Sequence, residues 1–89
     1  MPDQTGTLCE IFAEVQITER MSKREFILQI KASNPQYDQF VKFDLINDKT
    51  DLCSPYQQGD QIKVHYNLKG RKYNDKFYNT LEAWRIERI

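Results

Sequence analysis

The chain has 89 residues, with 13 Lys and Arg against 13 Asp and Glu, and 39% of its residues are hydrophobic. That length suits one domain with a small core, and only three Gly and three Pro exclude a low-complexity or disordered chain. Zero net charge excludes a polybasic protein that grips phosphate through bulk charge, and no apolar run nears the roughly 20 residues of a membrane span.

The balance conceals an asymmetry. Residues 1–60 hold six Lys and Arg against ten Asp and Glu, whereas residues 61–89 hold seven against three. Any anion site must therefore be local, and the positive charge concentrates in the C-terminal third. At the other end, "MPDQTGTLCE" has neither a basic start nor an apolar stretch, so no signal peptide is read and a cytoplasmic location is expected. Residues 1–5 are expected to form a disordered tail ahead of a single domain. Cys9 and Cys53 lie far apart without a CxxC spacing, and both fall in apolar patterns that read as buried thiols.

Period-two alternation dominates the chain. In "CEIFAEVQI" it puts Cys9, Ile11, Ala13, Val15 and Ile17 on one face, with Glu10, Phe12, Glu14 and Gln16 on the other. After the short turn "ERMSK", a second strand puts Phe26, Leu28 and Ile30 inward and Glu25, Ile27, Gln29 and Lys31 outward. "SNPQYD" is a turn built on Asn34-Pro35. A third strand puts Val41, Phe43 and Leu45 inward, opposite Phe40, Lys42 and Asp44. In "NDKTDLCSPYQQGD", Asn47 or Asp48 is expected to cap about two turns of helix that turn Leu52, Cys53 and Tyr56 inward. A fourth strand follows, with Ile62, Val64, Tyr66 and Leu68 inward, and "KFYNTLEAWRIERI" makes a fifth.

The last two strands predict their own register. With Asn74-Asp75 as a two-residue turn, Leu68 faces Leu81 and Tyr66 faces Ala83. One step further Val64 would face Arg85. A bulge near Ala83-Trp84 brings Ile86 opposite Val64 instead, and that bulge is expected. It leaves the direction of Trp84 open, with a barrel-closing core position preferred.

Five strands with a short helix between the third and fourth match the plan of an all-β, five-stranded OB-fold Greek-key barrel, with a split sandwich as the competing architecture. The segments "VKFDLINDK" and "YQQGDQIKVHYNLKGRKYNDKFYNTLEAWRIE" carry a closer likeness. Phe43–Lys49, Gly59–Val64, Gly70–Lys76 and Ala83–Glu87 follow recurring motifs of an uncharacterised bacterial family. The chain resembles that family of small OB-fold, single-stranded-DNA-binding-like proteins over residues 39–88, and less over the first two strands. Asp75 and Ile46 depart from its usual Gly and Trp, and the first turn is shorter than in many members. The resemblance implies the OB fold and a role in binding single strands.

The residues offer little for catalysis. His65 is the lone histidine and falls on an outward phase, so with two distant cysteines it makes no zinc site. Neither enzyme chemistry nor a cofactor is expected. Two surfaces carry a binding case. The outward face of the first three strands offers Phe12, Ile27, Gln29, Lys31, Phe40 and Lys42, with rings for base stacking and cations for phosphate; a protein interface is the equal alternative there. The second surface is "NLKGRKYNDKFYN", where Lys69, Arg71, Lys72 and Lys76 surround Tyr73, Phe77 and Tyr78. The register pairs Arg71 with Tyr78 and Tyr73 with Lys76 on one face, each as a cation–ring pair, and Lys72 with Phe77 on the other.

Two functions follow as expectations. One is a non-catalytic binder of single-stranded nucleic acid, DNA before RNA, with little sequence preference. The other is an OB-type interaction module or accessory subunit. Its partner would be a second copy, as a dimer or higher oligomer, or a replication or repair protein. No membrane partner is expected.

Overall fold

A computed structural model describes residues 2–89. Six strands form one sheet: β1 (Asp3–Ile11), β2 (Val15–Thr18), β3 (Met21–Ile30), β4 (Gln39–Ile46), β5 (Gln61–Tyr73) and β6 (Lys76–Arg88). The hydrogen-bonded order is β1-β5-β6-β4-β3-β2, and β1 also pairs with β3, which closes the ring. The chain is an OB-type barrel, with the expected first strand divided into β1 and β2 and a short helix between β4 and β5.

The core follows the alternation. Phe26, Leu28, Phe43, Leu45, Ile62, Val64 and Ala83 are all buried in it. Phe26 and Phe43 stack with ring centroids 5.4 Å apart, and Phe43 meets Tyr66 at 5.3 Å. Burial of such rings, with the aliphatic side chains around them, is the main favourable contribution to folding.

The first strand departs from the expected phase. Leu8 pairs with Leu28 and Ile11 with Phe26, while Cys9 is an extra residue in a bulge. Leu8 is thus buried, and Cys9 is only half-buried. The strand then breaks over residues 12–14, and β2 resumes with Val15 opposite Lys23. Val15 and Ile17 are exposed as a result. The expected disordered tail is also corrected, because Asp3 and Thr5 pair with His65 and Lys63 on β5. Only Met1 of that stretch lies outside the described residues. Gly6 sits where β1 passes from β5 to β3, and a Cβ there would lie 2.6 Å from the Gln29 carbonyl oxygen.

The helix between β4 and β5 is a 3-10 helix, Asn47–Cys53. Neither Asn47 nor Asp48 caps it: the cap residue is Ile46, with no side-chain bond. Asn47 instead takes a positive φ of 54° and accepts the Ser22 N–H on its side-chain oxygen at 3.0 Å. Cys53 and Thr50 are buried against the barrel, and the Tyr56 hydroxyl donates to the Ile86 carbonyl at 3.2 Å. At the other connection, Asn34 caps a one-turn 3-10 helix, Pro35–Tyr37, by accepting from Gln36 N–H.

The hairpin keeps the expected register along its length. Tyr73 pairs with Lys76, Arg71 with Tyr78, Leu68 with Leu81 and Tyr66 with Ala83; after a shift, Val64 pairs with Ile86. Asn74 and Asp75 both take positive φ, 49° and 63°, as a two-residue turn of this hand demands. Two inward assignments fail. Leu68 is exposed because the hairpin runs on past the end of the barrel. Trp84 lies beside the His65 ring at 5.3 Å rather than in the barrel core, which Ala83 enters.

Candidate functional site

Strands β4 and β6 meet through a single parallel pair, Asp44 with Glu82. Above this seam the outward face forms an open groove. One stretch, of about 710 Å³, is lined by Ile17, Met21, Ile46, Arg71 and Tyr78, among others. The next, of about 490 Å³, is lined by Phe40, Val41, Lys42 and Asn79, among others. Lys23, Asp44 and Thr80 line both, so the two stretches are continuous.

The expected site residues divide around this groove. Lys69, Arg71 and Tyr78 from the hairpin line one stretch, and Phe40 and Lys42 from β4 line the other. The Phe40 and Tyr78 rings are 62% and 46% exposed, so both have a face available for contact. Tyr73 and Lys76 are exposed at the hairpin tip, on the groove side of the ribbon by register. Ile27 is half-buried between Glu10 and Lys42 on the neighbouring strands, and Lys31 is exposed just past the end of β3. Phe12 lies at the break after β1; its N–H donates to the Glu25 carbonyl, and its own carbonyl accepts from Arg24 Nε at 2.9 Å. Gln29 is occupied by the Asp38 carboxylate at 2.9 Å. Lys72 points to the opposite face, where its ammonium lies 5.8 Å from the Phe77 ring centre. Among the described residues this is the hairpin's cation–ring contact; the expected contacts of Arg71 with Tyr78 and of Tyr73 with Lys76 are paired in register only.

Alternation left one property of the groove unread, its acidic floor. Glu25, Asp44 and Glu82 stand in register across β3, β4 and β6. Lys42 and Lys23 reach Glu25 at 3.1 and 3.8 Å, and Lys69 reaches Glu82 at 3.2 Å. Asp44 is buried, and burial pushes its carboxyl pKa up; Lys23 and Lys42 oppose that shift, while Glu25 and Glu82 add to it. Ile17 was missed because the bulge and break in the first strand turn it onto the outer face, and Met21 because it falls in the expected turn "ERMSK" but begins β3.

On the barrel's far side, His65 Nε2 lies 2.6 Å from Glu87, and this hydrogen bond holds the Glu87 pKa below its usual range. The Trp84 indole nitrogen is buried there without a hydrogen-bond partner. Among the described residues no helix is long and apolar enough to cross a membrane.

Two solved structures share the architecture. The dimeric N-terminal domain of PriB protein from Thermoanaerobacter tencongensis matches with a TM-score of 0.68 and 17% identity, over 99% of this chain and 93% of that one. A small single-stranded DNA-binding protein from Streptomyces coelicolor matches with a TM-score of 0.54 and 8% identity, over 99% and 92%. At these identities the likeness carries the fold. No curated protein matches the chain. A family model, Domain of unknown function (DUF3127), matches residues 3–87, so the chain belongs to that family.

Proposed function

We propose that this protein is a non-catalytic binder of single-stranded nucleic acid, DNA before RNA, and that the strand lies in the groove over the β4–β6 seam. The observation that carries this reading is the groove's composition. Exposed rings at Phe40 and Tyr78 stand at its two stretches, and Lys23 from β3, Lys42 from β4, and Lys69 and Arg71 from the hairpin line it. A base can stack on an exposed ring whatever its identity, for roughly 1–3 kcal/mol. Arg71 and Lys76 have no ion-pair partner among the described residues, so they are free to meet phosphate. The small single-stranded DNA-binding protein from Streptomyces coelicolor shares the barrel, which supports the same reading.

The test is titration of a fluorescent single strand with the wild type and with Arg71→Ala, Tyr78→Ala and Lys72→Ala. The first two variants should bind weaker. Lys72→Ala, which removes a cation from the opposite face, should bind nearly as well. Equal loss in Arg71→Ala and Lys72→Ala with none in Tyr78→Ala would point to bulk charge and overturn the groove.

A second reading has its own observation. Leu68 and Phe77 are 67% and 75% exposed, and by register they share the hairpin face turned from the groove. Such apolar exposure marks contact surfaces, and the PriB domain that shares this barrel is dimeric. Sedimentation would show a stable oligomer without oligonucleotide, dissociated by Phe77→Asp, if a second copy covers that face.

A further inference from the structure

The groove floor carries a group that neither phosphate binding nor stacking uses. Asp44 is 8% exposed, lines both stretches of the groove, and has no hydrogen bond or ion pair among the described residues. Its neighbours differ. Glu25 is held by Lys42 and Lys23, and Glu82 by Lys69, so the flanking carboxylates are neutralised and the central one is bare. The Asp44 oxygens are not among the fully buried unpartnered atoms, so they meet solvent in the groove, and a ligand seated there must replace the hydrogen bonds of the water it displaces. An ionised carboxylate only accepts hydrogen bonds, so whatever completes it must present donors.

Phosphate is excluded from this point by charge. A metal ion fails on geometry, because no group of three or more His, Cys, Asp or Glu among the described residues could hold one. The remaining donors are the N–H groups of a base. We infer that Asp44 is a base-reading acceptor at the groove floor, which takes the amino and imino N–H groups of a nucleobase, guanine first, and discriminates against thymine. This rests on the single-strand reading above and replaces its indifference to sequence at one position.

The base chemistry sets the order. Guanine presents N1–H and N2–H side by side, matching the two oxygens of a carboxylate. Cytosine and adenine each present one amino group beside an acceptor nitrogen. Thymine presents one N3–H between two carbonyl oxygens, both of which a carboxylate repels. With the base on the floor, the backbone runs along the rim, where Arg71 and Lys69 stand.

The experiment compares short thymidine strands with thymidine strands carrying isolated guanosines, too sparse to form quadruplexes, by fluorescence anisotropy. The wild type should bind the guanosine strand about five-fold or more tighter. Asp44→Asn, which offers a donor as well as an acceptor, should bring the ratio to about one, weakening guanosine binding and, with the carboxylate's repulsion gone, tightening thymidine binding. In the wild type the ratio should also shrink as the carboxylate is protonated on acidification. The groups facing it are Lys23 and Glu25 from β3, Lys42 from β4, Glu82 from β6, and Lys69 and Arg71 from the hairpin. A wild type that binds both strands equally overturns the base-reading role and leaves strand binding intact. So does a preference that survives Asp44→Asn. Failure to bind either strand overturns both.

Discussion

Asp44 pays a folding cost for its position, and that cost has a pH signature. Burial raises its pKa, so the folded state holds the proton more tightly than the unfolded chain does. Its contribution to stability is therefore most favourable below the ordinary Asp range and declines as pH rises toward the raised value. Asp44→Asn removes that decline. The variant should melt higher than the wild type at neutral pH and alike at pH below the ordinary Asp range, measured by thermal unfolding at both. Glu87 has the opposite sign: its pKa is lowered by the His65 hydrogen bond, so its contribution is present at neutral pH and lost on acidification. At the hairpin, Tyr78→Ala should weaken strand binding roughly ten-fold by loss of a stacking ring. Its melting temperature should change little, since that ring is 46% exposed.

Among the elements, the hairpin was the most legible and the first strand the least. Asn74-Asp75 fixed the turn, and the mismatch of Val64 with Arg85 exposed the bulge, because both are local consequences of pairing two known strands. The turn is still imperfect, as Asp75 takes a φ of 63° that glycine adopts at lower cost. Asp75→Gly should stabilise the fold by about 0.5 kcal/mol, read by chemical denaturation. In the first strand, apolar residues at Cys9, Ile11, Ala13, Val15 and Ile17 fit one continuous face. The bulge at Cys9 and the break over residues 12–14 reset the phase twice, for reasons that lie in its partners. No pattern within the segment reports that Gly6 must pass the Gln29 carbonyl closely. Gly6→Ala would place a methyl 2.6 Å from that backbone oxygen and should cost about 1–3 kcal/mol in the same assay.

Across the whole molecule, an electroneutral chain sets Lys23, Lys42, Lys69 and Arg71 along one groove. The basic C-terminal third was visible in the sequence, and so was the face shared by Arg71, Tyr73, Lys76 and Tyr78. The carboxylates on the floor were not, because Asp44 read as one more outward polar residue until β6 was brought beside β4. Ion pairing within the groove limits the charge left for a ligand, since Lys42 and Lys69 are each engaged by a glutamate. Affinity should therefore be modest and fall with salt in proportion to a small number of phosphate contacts. The most direct measurement is the affinity for a short single strand across a series of salt concentrations, in the wild type and Arg71→Ala. The groove predicts a log–log slope of roughly −1.5 to −3 for the wild type and a shallower one, by about 0.7, for the variant. No binding at low salt, or a slope that Arg71→Ala leaves unchanged, would contradict it.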